Sequence, residues 1–115
     1  MRRYKRSDRV RDLLHEEVSR MLQRDMKDPR VNAVIITRVD LSPDLKHAKF
    51  YVTSFAPEEK KPSILAGLKK ASGYVRGELG RRLNLKFVPE IKFVFDEALE
   101  ETNRVLRLID QLEKP

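Results

Sequence analysis

A chain of 115 residues, with 25 Lys/Arg against 18 Asp/Glu and no cysteine, is long enough for one folded domain and too short for two. The lack of cysteine excludes a disulfide framework and a thiolate metal site, and no stretch reaches the roughly 20 apolar residues of a membrane span. The net charge of +7 is unevenly spread: residues 60–92 carry nine Lys/Arg against two Asp/Glu, and residues 93–115 carry three against six. Such polarity points to a polyanionic partner met by one surface. The basic start, MRRYKRSDRV, is followed by no apolar run, which predicts a cytoplasmic protein without a secretory signal.

Residues 1–6 read as a basic arm and residues 7–115 as a single domain. In the arm, Arg2, Arg3, Lys5 and Arg6 are candidate phosphate contacts. Ser7 is placed to cap a first helix, with Asp8 in its first turn against the helix dipole. Val10, Leu13, Leu14, Val18, Met21 and Leu22 mark one face of that helix. Asp28-Pro29 ends it, because the residue before proline is pushed out of the α region, so Asp28-Pro29-Arg30 reads as an exit and loop.

Residues 34–41 predict a strand with Ile35, Thr37, Val39 and Leu41 on one face and Arg38 and Asp40 on the other. After a Ser-Pro-Asp turn, residues 47–55 alternate with Ala48, Phe50 and Val52 inward. The two runs form an antiparallel hairpin with one buried face.

The next helical stretch begins either near Glu58 or after Pro62. Ile64, Leu68, Ala71, Val75, Leu79 and Leu83 form one apolar stripe, and Lys69, Lys70, Arg76, Arg81, Arg82 and Lys86 stand outside it against the single acid Glu78. Gly73, inside Ala71-Ser72-Gly73, predicts a bend or a close approach, so the stretch reads as two helices joined at a kink. Ile91, Phe93 and Phe95 predict a third strand. Val105, Leu108, Ile109 and Leu112 mark a last helix. The order is α-β-β-α-kink-α-β-α, an α+β fold. Its three-stranded sheet would be covered by helices on one face, with the third strand parallel to a neighbour after the long crossover.

No catalytic constellation emerges. His15 and His47 have no metal-pairing neighbour in sequence, and there is no Walker loop, dinucleotide fingerprint or nucleophile elbow. The expectation is a non-enzyme without cofactor or metal. Gly77-Glu78-Leu79-Gly80 matches the spacing of the GxxG phosphate loop of KH domains. It reads as a decoy, because Leu79 belongs to the apolar stripe and Glu78 would repel a phosphate. The chemistry lies instead in the cationic face: Lys69 and Arg76 share one side, and Lys70, Tyr74 and Arg81 line the adjoining one, suited to phosphates and an unpaired base. Arg30 is a further candidate that can equally anchor its own turn. The alternative is a protein-interaction module using the Lys49/Tyr51/Thr53 face of the hairpin or the acidic last helix, with the basic charge incidental.

The order of elements meets a set of local motifs: KDPR at 27–30, VDLSPDL at 39–45, AKFYVT at 48–53, ASGYVRGELG at 71–80 and VPEIKF at 88–93. Together these resemble the ribosome-binding factor A family over nearly the whole chain. The resemblance implies a type II KH-like fold in which a kink, here Ala71-Ser72-Gly73, replaces the GxxG loop. It implies binding to the immature 30S ribosomal subunit and its 16S rRNA, late maturation including the 5′ end, a link to cold adaptation, and release by a ribosome-associated GTPase. A monomer is expected. Ala98 departs from the serine that the family often has there.

Overall fold

The computed structural model describes residues 5–113. Helix α1 (Arg6–Arg20) runs into a π-helical turn (Met21–Asp25) and a short helix α2 (Pro29–Asn32). Strands β1 (Ile35–Leu41) and β2 (His47–Thr53) follow, then a 3-10 turn (Glu58–Lys60) and the long helix α3 (Lys61–Arg82). Strand β3 (Glu90–Phe95) and helix α4 (Glu97–Glu113) complete the chain. The sheet order is β1-β2-β3, with β1 antiparallel and β3 parallel to the central β2. The fold is α+β with a mixed three-stranded sheet, as the sequence order predicts, and the crossover through α3 is what returns β3 parallel.

The core lies between one face of the sheet and the apolar faces of α1 and α3. Leu14, Val18, Met21 and Leu22 come from α1 and its π turn, Leu68, Val75 and Leu79 from α3, and Phe50, Val52 and Phe93 from the sheet. The rings of Phe50 and Phe93, register partners on adjacent strands, pack 5.5 Å apart. The inward set of β2 and the apolar stripe of α3 agree with the alternation and the helical spacing read from sequence.

Strand β1 departs from simple alternation. Ile36, not Ile35, is buried, and the register with β2 shifts between Ile36 and Arg38. A bulge at Thr37 supplies the extra residue, so Ile36 and Val39, three apart, both face the core. His15 Nε2 meets the Ile36 carbonyl at 3.1 Å. A carbonyl only accepts, so this nitrogen carries the hydrogen, and His15 serves the backbone beside the bulge.

The start of α1 also differs from expectation. Lys5 occupies the cap position and Ser7 lies within the first turn. The buried Asp8 reaches back to accept the Lys5 backbone N–H at 2.8 Å and pairs with Arg11 at 3.2 Å, which satisfies an end that serine would otherwise cap. Asp28-Pro29-Arg30 is not a loop but the start of α2. Asp28 caps it by accepting the Arg30 N–H, and Pro29 stands in the first turn, where its missing N–H costs nothing. Asn32 then donates to the carbonyls of Leu22 and Met26, at 3.0 and 2.8 Å, closing the end of the π turn.

Between the two possible starts of the central helix, the chain takes a 3-10 turn at Glu58 and becomes α-helical from Lys61, with Pro62 in the first turn. The helix then continues unbroken to Arg82, so the expected pair of helices is one helix. At the anticipated junction the Ser72 hydroxyl donates to the Lys69 carbonyl at 2.6 Å. That local bond, next to Gly73, favours a bend without interrupting the ladder. Beyond the cap at Leu83, Asn84 takes a φ of 50°, the left-handed position that commonly ends a helix.

Helix α4 does not join the cover over the sheet, contrary to expectation: none of its residues is buried. Its base is held to the body. Asp96 accepts the Leu99 N–H at 3.0 Å, and Lys61 forms an ion pair with Glu100.

Candidate nucleic-acid interface

Helix α3 buries Ile64, Leu68, Ala71, Val75 and Leu79 and turns Lys69, Lys70, Gly73 and Gly77 to solvent. The cationic residues singled out from sequence separate into outward-facing ones and ones tied into the fold. Lys69 and Lys70 are exposed and, among the described residues, hold no side-chain hydrogen bond or ion pair. Arg81 is exposed and pairs with Glu78 one turn away. Lys86 stands beyond the helix, its ammonium 5.7 Å from the Phe87 ring.

Other candidates are committed to the fold. Arg76 donates to the carbonyls of Pro89 and Val88 at 3.3 and 3.4 Å, fixing the chain as it enters β3. Arg82, 31% exposed, donates to Asp25 at 2.6 Å and Glu78 at 3.0 Å and lies 3.8 Å from Glu17. It therefore ties α3 to α1 and the π turn, and the carboxylates raise its affinity for its proton, Asp25 first. Arg30 forks onto Asp28 at 2.6 Å and also reaches the Ser63 carbonyl. This bond, before any other cause, holds the Asp28 carboxyl below its ordinary range. Tyr74 donates to Asp25 at 3.3 Å; desolvation, then the Asp25 charge, pushes its hydroxyl up.

Ala71 belongs to the buried face, and Ser72 is half-buried. At Gly73 and Gly77 an added Cβ would meet nothing within 4 Å. Among the described residues no packing requires these two glycines, which leave α3 without side chains at two points one turn apart on the cationic face. Gly67 and Gly80 permit close packing: a Cβ at Gly67 would lie 3.2 Å from Asp28 Oδ2 and from Val31 Cγ2, and one at Gly80 3.2 Å from Val88 Cγ2. Gly77-Glu78-Leu79-Gly80 lies inside the helix, with Leu79 buried and Glu78 bonded to Arg81 and Arg82; it forms no loop. Lys5 and Arg6 are exposed at the start of α1, while Arg2 and Arg3 lie outside the described residues.

The sequence reading missed a second group. Parallel pairing sets Lys49 of β2 beside Lys92 of β3. Both line a crevice with His47, Ser72 and Arg76, against the acids Asp40 and Glu90. Like charges in register on adjacent strands are unfavourable; Asp40, the register partner of Lys49 on β1, offsets this in part. The strand register, which spacing along the chain does not reveal, is the signal that joins them. On the same face the Arg38 guanidinium stacks 3.6 Å from the Tyr51 ring centre. Among the described residues, no group of His, Asp or Glu is placed to hold a metal ion, and no helix is long and apolar enough to cross a membrane.

The fold defines the class as a small α+β domain with a three-stranded mixed sheet and a cationic helix on its outer surface. The chain is a member of the ribosome-binding factor A family, whose model matches residues 6–109. It is 45% identical over 107 residues to ribosome-binding factor A of Azoarcus sp. (strain BH72), covering 93% of this chain and 85% of that one. It is 47% identical over 110 residues to the protein of that name from Nostoc punctiforme, covering 94% and 79%. Among solved structures, it is similar to the crystal structure of ribosome-binding factor A from Thermus thermophilus, with a TM-score of 0.67 at 25% identity over 79% of this chain and 96% of that one. It is also similar to a Thermus thermophilus homology model fitted into a cryo-EM map of a 30S complex, with a TM-score of 0.64 at 26% identity, covering 77% and 93%.

Proposed function

We propose that this chain is a non-enzymatic assembly factor that binds the immature 30S subunit through 16S rRNA. It assists late maturation of that RNA, including its 5′ end, in the cytoplasm. The single observation that carries this reading is the outer face of α3: the exposed side chains of Lys69 and Lys70 flank Gly73 and Gly77, one turn apart, where the backbone carries no side chain and an added Cβ would meet nothing within 4 Å. Backbone without side chains lets a sugar-phosphate strand approach, and exposed ammonium groups can replace its counterions. The relative fitted into a 30S complex supports the choice of particle. Monomeric action, release by a ribosome-associated GTPase and a role in cold adaptation complete the proposal.

The phosphate contacts assigned are Lys69, Lys70, Arg81 and Lys86, with the Lys49/Lys92 pair beside Arg76 as a second strand-side contact. Arg82 and Arg30 are assigned to the fold. Co-sedimentation with purified small subunits tests this division. Lys69→Glu, Lys70→Glu and Arg81→Glu together should abolish binding while circular dichroism stays native. Arg82→Ala should instead lower the melting temperature and leave the affinity of the folded chain near its original value. Undiminished binding by the triple variant would refute the face.

A further inference from the structure

Helix α4 carries an apolar stripe that the fold leaves uncovered. Val105 is 44%, Leu108 54%, Ile109 45% and Leu112 85% exposed. Their spacing of three, one and three residues puts them on one side of the helix. The crevice between α4 and the body is lined from the helix side mainly by polar residues, including Glu100, Asn103, Arg104 and Arg107. The stripe therefore faces away from the protein. Because Asp96 and Lys61 hold the first turn, the helix presents its stripe at a set angle. A contiguous exposed patch of large aliphatic side chains marks an interaction site.

The charges around the stripe select the occupant. Residues 97–113 carry five acidic and two basic side chains, in a chain of net charge +7. Glu97 and Glu101 border the stripe on one side and Glu113 on the other, and Arg104 is paired with Glu101. An RNA strand or an anionic membrane would meet carboxylates. A second copy of α4 would bring together two helices that each carry five acidic side chains against two basic ones. We propose that α4 docks a basic amphipathic segment of a protein, whose apolar side chains cover the stripe while its lysines and arginines meet the flanking acids. On the reading of the preceding section, that segment belongs to a protein of the small subunit. The chain would then be held by rRNA on α3 and by protein on α4.

The test replaces Leu108 with photoreactive benzoylphenylalanine in the full chain bound to purified small subunits. Illumination should give an adduct with a basic subunit protein, identified by mass spectrometry. In parallel, Val105→Ser, Leu108→Ser and Ile109→Ser together should weaken co-sedimentation roughly tenfold without lowering the melting temperature, since these side chains are exposed in the free chain. A crosslink to rRNA or to a second copy, or no adduct from a chain that co-sediments, would overturn the proposal while leaving the α3 assignment intact. Unchanged affinity of the serine variant would also overturn it. Failure of the unsubstituted chain to co-sediment would overturn both.

Discussion

Asp96 joins three elements through one carboxylate. One oxygen accepts the Thr37 hydroxyl at 2.6 Å and the other the Leu99 N–H at 3.0 Å, so the group pins the bulge of β1 to the start of α4. The Thr37 bond first, then the backbone bond, holds its carboxyl below the ordinary carboxylate range. The native state thus gives up this proton more readily than the unfolded chain. The contribution to stability is complete above about pH 4 and is lost as pH falls through the native value. Asp96→Ala should cost about 1–2 kcal/mol in urea unfolding at neutral pH, the usual cost of a lost cap. Asp96→Asn can still cap Leu99 and donate to the Thr37 oxygen while that hydroxyl turns to the Tyr51 carbonyl, 3.3 Å away. It should cost less and flatten the acid limb of the stability curve; an unchanged limb would refute the role. The link to Thr37 could not be read from the sequence, because Thr37 and Asp96 are 59 residues apart and the bulge that aims Thr37 depends on strand register, whereas the Leu99 cap is local. The same limit explains the bond of Arg82 to Asp25, 57 residues away; Arg30, by contrast, anchors its own turn on Asp28.

Helix α3 shows what spacing reveals about an element and what it does not. The buried stripe from Ile64 to Leu79 follows from periodicity alone, and so does the helical setting of Gly77-Glu78-Leu79-Gly80. The role of each glycine does not, because it depends on what lies opposite. Gly67 faces Asp28 and Val31 at 3.2 Å, where the Arg30–Asp28 fork limits any adjustment, whereas Gly73 faces open space. Gly73→Ala should therefore raise stability by about 0.5–1 kcal/mol, the ordinary gain inside a helix. Gly67→Ala should lose that gain to overpacking and lower stability by about 1 kcal/mol. Paired urea titrations check the opposite signs. If α3 lies against an RNA strand at Gly73, the more stable Gly73→Ala chain should also bind the small subunit more weakly. A start at Lys61 rather than Glu58 and an unbroken helix through Ser72 are backbone outcomes that propensity leaves open.

Across the whole molecule, the charge census anticipated a division that the fold places in space. The cations of α3 stand on the outer side of the core, and the acids cluster on α4, which projects from Asp96 with no buried residue. Sequence order and local motifs were sufficient for the fold class and the family, since hydrophobic period and turn chemistry act locally. The open position of α4 was not legible: an amphipathic stripe specifies that a helix has a partner, not that the partner lies in the same chain. Everything proposed for α3 depends on its outer face meeting 16S rRNA. Photocrosslinking from benzoylphenylalanine in place of Lys69 reads that contact, on otherwise unaltered protein bound to immature and mature small subunits, with the linked nucleotides mapped. Adducts confined to 16S rRNA and stronger on the immature particle are expected; adducts only with protein, or an equal yield on large subunits, would contradict the assignment.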